Sequence, residues 1–283
     1  MFIGRLIALL AALASSGTPV FAQALHEAGW SAWQVSGARS LIGFLILVLW
    51  QRGNMREARK DPWGIAGTIA NGTLGTTAYL FAAMHASLGT VVSLLYLNTV
   101  WITLWERFHG RRERFDIVAT GMVVGGVVLA VGPGGVGDTW LGIGVGLFAS
   151  VTAAIYNVLS SHVTQKVRPA VLSCYGLIGG AIIFGPLVFS APWLVPHAAI
   201  AAAGIGTFSG ALFFVAAATA FQRIGVEARM WLPFDLIFVW LLQALIQQKV
   251  PSVASCVGVA MIFSAAMLLA WGKRRHSSIA PVA

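Results

Sequence analysis

The sequence predicts an all-α membrane protein, with ten transmembrane helices arranged as two inverted five-helix repeats. Three observations lead there. Hydrophobic residues make up 58% of 283 positions and charged residues 10%, with a mean hydropathy of +0.83. Globular domains carry about 25% charged residues, so this chain has too little polar surface to cover itself in water. Apolar segments of about 20 residues, the length that crosses a bilayer core as a helix, recur from end to end. Finally, the sequence resembles itself when slid by about 135 residues.

Taken in order, the apolar stretches predict helices over 4–25, 32–50, 63–84, 87–108, 116–132, 140–162, 170–190, 198–221, 226–247 and 251–272. Within lipid each must satisfy its own backbone groups, which favours continuous helices. Turn signals separate them: Arg52-Gly53-Asn54, Asp61-Pro62, Gly132-Pro133-Gly134-Gly135, Arg168-Pro169, Ala191-Pro192 and Val250-Pro251. The first stretch, with Arg5, an apolar run and Ala22-Gln23-Ala24, also imitates a secretory signal peptide. Its partner within the repeat favours reading it as a helix of the bundle.

Charge orients the bundle. With the N-terminus inside, the cytoplasmic segments hold 15 of the 18 Lys and Arg residues, in clusters such as Arg52 to Lys60, Arg107 to Arg114 and Lys273 to Arg275. The opposite side holds only Lys249, while Arg39 and Arg229 fall within or at the edge of spans. This bias predicts an even helix count with both termini cytoplasmic. The net charge of +9 therefore reads as membrane topology, and nucleic acid is not an expected partner. Cys174 and Cys256 lie within apolar stretches and read as small hydrophobic residues.

The repeat sets Leu13-Ala14-Ser15 on Phe148-Ala149-Ser150 and Gly75 to Ala83 on Gly210 to Ala218. Leu88-Gly89 falls on Ile224-Gly225. Two units follow, residues 1–135 and 136–275, with a short cytoplasmic tail over 276–283. Five helices is an odd number, so the second copy enters the membrane from the opposite side. Such inverted pairs enclose a site near the bilayer midplane. Gly121/Gly125, Gly142/Gly146, Gly176/Gly180 and Gly206/Gly210 each lie four apart on one helical face. They suit packing within the bundle, sliding of helices, or a homodimer.

These residues resemble the drug/metabolite transporter superfamily, in its ten-helix EamA-type group. The resemblance rests on the Leu10-Ala11-Ala12-Leu13-Ala14-Ser15-Ser16-Gly17 opening, Arg39 in the second stretch, and the alanine-rich third and eighth stretches. Gly89 and Gly225 opening stretches four and nine, Pro233, and Glu113 ahead of Gly121 add to it. The chain departs from the pattern at Leu97-Asn98, where the family often has proline, and at Gln247-Gln248, where an acidic residue would repeat. The resemblance implies export of small metabolites; its characterised members include exporters of amino acids, aromatic ones among them.

Polar groups at membrane depth face the protein interior or a wet cavity. Tyr79, Tyr96, Asn98, Trp101, Tyr156 and Trp231, with Thr99 and Asn157 beside them, are the expected lining of a substrate site. Aromatic walls with a few amides and hydroxyls suit an amphipathic solute with a ring, or a cation. Trp30, Trp33, Trp50, Trp63, Trp140, Trp193 and Trp271 sit near span ends and read as interfacial anchors. Arg39, Pro233 and Asp235 are the expected gating or coupling residues. Arg39 is expected to meet a substrate carboxylate, or to pair with Asp235 or Glu106. Pro233 interrupts its helix, and Asp235 reads as protonated, paired with Arg39, or proton-coupling.

Enzyme chemistry finds no support. There is no metal-spaced His/Glu/Asp set, no Walker-type loop and no paired intramembrane carboxylates, so neither cofactor nor metal is expected. The expectation is a secondary transporter of small metabolites, amino acids with aromatic or hydrophobic preference foremost, in a bacterial-type inner membrane. A permease for other amphipathic solutes or cationic drugs, and a scaffold or sensor without transport, are the alternatives.

Overall fold

The structure, a computed structural model, describes residues 2–51, 54–110, 114–131, 139–193, 195–224, 228–247 and 252–277. Glu113, the Gly132–Gly135 turn, Gly225, Glu227, Gln248, Lys249, the Val250-Pro251 turn and the tail from residue 278 lie outside them. Among the described residues there is no strand.

Where its residues are described, each predicted stretch is mostly helix. The first three are unbroken: α1 (Phe2–Glu27), α2 (Ala32–Gln51) and α3 (Pro62–His85), with a 3₁₀ turn, Asn54–Lys60, before the third. The fourth is two helices, α4 (Leu88–Leu95) and α5 (Asn98–Phe108). Next come α6 (Arg114–Val131), α7 (Trp140–Val163) and α8 (Pro169–Phe184), the last continued by a 3₁₀ turn, Gly185–Ser190. The eighth stretch holds α9 (Pro196–Gly204), a π-helical segment (Ile205–Leu212) and α10 (Phe213–Ile224). The ninth is again broken, into α11 (Ala228–Trp231) and α12 (Phe234–Gln247), and α13 (Val253–Ser277) closes the series.

Among the described residues, five helical segments are long and apolar enough to cross a membrane: Phe2–Glu27, Ala32–Gln51, Trp140–Val163, Pro169–Ser190 and His197–Ile224. Large apolar side chains such as Leu49, Ile183, Phe189, Ile200 and Leu245 face outward, the arrangement lipid requires and water penalises. The chain is a multi-pass helical membrane protein.

Local chemistry sets the helix ends. Pro62 opens α3, where its missing N–H is no loss, and Asp61 Oδ1 accepts the Gly64 N–H at 3.1 Å. Thr139 caps α7 by accepting from Gly142 N–H at 3.0 Å, and donates its hydroxyl to the His85 carbonyl at 2.9 Å. That pair ties the start of α7 to the end of α3. Gly29, at φ +88°, makes the left-handed turn between α1 and α2 that a side chain would disfavour.

Small residues let the helices meet. A methyl on Gly72 would lie 2.7 Å from the Gly176 carbonyl oxygen, so α3 and α8 touch through backbone. Gly126 of α6 likewise abuts the Gly258 carbonyl of α13, at 2.6 Å from where its Cβ would stand. Gly142, Gly146, Gly176 and Gly210 also pack inside the molecule, against His85, Leu94, Tyr156 and Arg39 respectively. Close backbone approach of this kind supplies the dispersion contact that holds helices together in lipid. Buried hydroxyl pairs add to it: Ser36 with Thr77 at 2.8 Å and Thr18 with Ser209 at 2.7 Å.

Candidate functional site

At the centre of the bundle lies a cavity of about 220 Å³, on the scale of one small solute. Its walls come from α1 (Ser15, Thr18), α2 (Arg39), α3 (Asn71, Tyr79), the α4–α5 break (Tyr96, Asn98), α7 (Tyr156, Asn157), α10 (Phe213, Phe214) and the α11–α12 break (Leu232, Pro233, Asp235). Ala266 and Leu269 of α13 complete it. Helices from both ends of the chain thus share one interior.

Of the residues expected at a substrate site, Tyr79, Tyr96, Asn98 and Tyr156 line this cavity, as do Arg39, Pro233 and Asp235. Trp101 and Trp231 are not among its lining. Trp101 is 39% exposed and donates its indole N–H to Ser150 Oγ at 2.9 Å. Trp231 stacks on Phe234 with 5.7 Å between ring centres, and the Arg5 guanidinium lies 6.0 Å from its ring. Both belong to helix packing on the flank of the cavity.

Arg39 is 4% exposed, and the π-helical segment holds it. Its Nε donates to Ser209 Oγ at 2.6 Å and its Nη2 to the Ser209 carbonyl at 3.0 Å. The guanidinium carbon sits 5.0 Å from the centre of the Phe214 ring, a cation–π contact. In a π-helix the wider turn realigns carbonyls, and such segments concentrate at functional sites. Here it offers a carbonyl and a hydroxyl from one residue to one guanidinium fork. Nη1 has no partner. The ion pair with Asp235, one of the pairings the sequence offered for Arg39, is not formed: the guanidinium is held by Ser209 instead. Ser209 lies nearer to hand and satisfies two of the three nitrogens, while Asp235 is bonded elsewhere.

Asp235, 7% exposed, lies in the first turn of α12, where the helix dipole favours a negative group. One of its oxygens accepts the Tyr96 hydroxyl, and the other lies 3.4 Å from Ser15 Oγ. Tyr96 Oη also lies 3.0 Å from the Leu232 carbonyl oxygen. Pro233 explains the break that exposes these groups, since it cannot continue an α-helical hydrogen-bond ladder. Asp235 N–H bonds the Leu232 carbonyl in a tight turn instead, at 3.0 Å. The α4–α5 break at Tyr96–Leu97 has no proline, and Tyr96 N–H there bonds the Ser93 carbonyl at 3.1 Å.

Residues that depth and aromaticity did not single out complete the site: Ser15, Thr18, Asn71 and Ser209. Small hydroxyls and a lone amide are common in packed membrane helices, so their chemistry gave no distinguishing signal.

The fold and its buried polar centre define the class, a helical membrane protein with a solute-sized interior site. Residues 2–132 match the EamA-like transporter family, and the match points to a membrane transporter of small solutes. A solved crystal structure of another protein is similar over 97% of this chain and 99% of its own, with a TM-score of 0.67 and 20% sequence identity. It shares the fold. No curated protein sequence matches the chain.

Proposed function

We propose that the protein is a secondary transporter exporting small metabolites, amino acids with aromatic or hydrophobic side chains above all, by alternating access of two inverted five-helix repeats. The repeats are residues 1–135 and 136–275, set in a bacterial-type inner membrane with both termini cytoplasmic. The observation that carries this reading is the unpartnered, buried Nη1 of Arg39 beside an aromatic cavity. A buried donor without a partner is disfavoured, and a solute carboxylate would satisfy it with a charge-assisted bond. Tyr79, Tyr156, Phe213 and Phe214 offer the ring surface for an apolar side chain.

Two contacts support the inverted repeat. Tyr96 bonds Leu232, 136 positions along the chain, so a residue touches its own counterpart at the repeat offset. Counterparts meet only near an axis that relates the copies. The α6–α13 crossing has the same reciprocity: Gly126 meets the Gly258 carbonyl and Ile262, while Gly258 meets the Gly126 carbonyl and Ala130.

The test is flux. Purified protein in liposomes should carry labelled phenylalanine or tryptophan in a saturable way, with competition by the unlabelled amino acid. Absence of flux for every amino acid tried, through protein that is monodisperse and folded, would overturn the proposal.

A further inference from the structure

Among the described residues, Asp235 is the acidic side chain that lines the cavity, and it has no cation beside it. The groups that face it come from each packed element. Ser15 Oγ approaches from α1 and the Tyr96 hydroxyl from the α4–α5 break. Tyr79 of α3 lies within electrostatic reach of both Asp235 and Arg39. Arg39 of α2 is held away by Ser209. From α13, Ala266 and Leu269 line this space.

A buried carboxylate without a counter-charge is strongly disfavoured, and neutralisation is the ordinary response. The hydrogen bonds here accommodate that response without moving a side chain. Tyr96 has one hydroxyl proton and two acceptors, the Asp235 carboxylate and the Leu232 carbonyl 3.0 Å away. When Asp235 is ionised, Tyr96 donates to it. When Asp235 is protonated, its carboxyl donates to the Tyr96 oxygen, and Tyr96 turns its proton to Leu232. Leu232 can take that bond on a second lone pair: its carbonyl already accepts the Asp235 N–H at 3.0 Å, while its α-helical partner, the Leu236 N–H, bonds the Pro233 carbonyl at 3.2 Å. Both protonation states are therefore fully bonded. A ligand ammonium entering the cavity neutralises the same carboxylate by a second route, and the two routes exclude each other.

We propose that Asp235, Tyr96 and the Leu232 carbonyl form a site that takes either a proton or the ammonium group of a primary-amine ligand, so that outward movement of the ligand is exchanged for inward movement of a proton. The exchange rests on the transport reading above; the competition for Asp235 does not.

Difference infrared spectroscopy on the full chain in detergent tests the site directly. The wild type should show a protonated-carboxyl band that falls as pH rises and is missing from Asp235→Asn. Phenethylamine, which carries the ammonium alone, should remove that band and release about one proton per protein into weakly buffered solution. Phenylacetate, which carries the carboxylate alone, should do neither. Tyr96→Phe keeps Asp235 but removes a donor to the ionised form, so its titration should move up by about one pH unit. The proposal is overturned by a band indifferent to pH, by phenethylamine that changes neither band nor proton count, or by Tyr96→Phe titrating as the wild type does. The Tyr96→Phe comparison stands by itself if Asp235→Asn does not fold. Failure of the transport reading shows separately, as absent flux in liposomes beside an intact infrared titration.

Discussion

Arg39 and Ser209 are joined at two points, guanidinium Nε to hydroxyl at 2.6 Å and Nη2 to carbonyl at 3.0 Å, which leaves Nη1 as the one guanidinium nitrogen without a partner. The partner residue sits in a π-helical segment of the eighth apolar stretch. An interaction between α2 and this segment thus aims a buried charge.

Arg39→Gln should lower the affinity for a carboxylate-bearing solute by about 10- to 100-fold, the range for losing a hydrogen bond to a charged group. Arg39→Lys should not restore it. An ammonium cannot hold Ser209 at two points and still present a third donor in a fixed direction. Flux at varied substrate concentration reads the effect as a rise in KM.

Ser209→Ala should destabilise the fold by about 1–3 kcal/mol, because Arg39 Nε and Thr18 Oγ1 both lose their buried partner. Thermal unfolding of the purified protein in detergent measures this. An unchanged melting temperature would mean that water replaces the hydroxyl.

Gly72→Ala should cost about 1–3 kcal/mol, since its new methyl meets the Gly176 carbonyl at 2.7 Å and α3 must shift from α8. Gly144→Ala is the matched control, because nothing lies within 4 Å of its added carbon. The two melting curves should separate.

Trp101→Ala should leave KM near the wild-type value, because the indole lies off the cavity and is tied to Ser150. Tyr79→Ala, which removes a wall of the cavity, should raise KM several-fold. If the order reversed, the solute would bind on the flank of α5.

Asp61 sets an acid limit at the membrane edge. The Gly64 N–H, and after it Lys166, hold its carboxyl below the ordinary value of 3.8. A folded value below the unfolded one means the stabilisation is complete above the unfolded value and is lost as pH falls through the folded one. Melting temperatures of wild type and Asp61→Asn should therefore differ at neutral pH and converge in acid.

Much of this architecture was legible in the sequence for one physical reason. A bilayer admits few spanning structures, so runs of apolar residues translate directly into helices. Tyr79, Tyr96, Asn98, Tyr156, Arg39 and Asp235 could be placed at the cavity because polar groups at that depth have few other places to go. Side-chain direction was harder. Trp101 and Asn98 lie three apart, yet only Asn98 lines the cavity, and the preceding break at Tyr96–Leu97 sets the helical phase of both. No proline or glycine announces that break. The π-helical segment was equally hidden, because Ile205 to Leu212 reads as ordinary apolar helix. Without it Ser209 has no visible claim on Arg39, and opposite charge made Asp235 the natural partner instead.

The backbone contact of Gly72 with Gly176 has a consequence for leakage. A protein that keeps an arginine and an aspartate in its interior also offers a foothold to water and small ions. Where side chains form a wall, thermal rotamer flips open transient gaps between them. Where α3 and α8 meet at paired glycines, the wall is peptide against peptide and has no rotamers to flip. That part of the seal opens only if whole helices move apart, which makes tightness a property of the bundle and not of any one side chain.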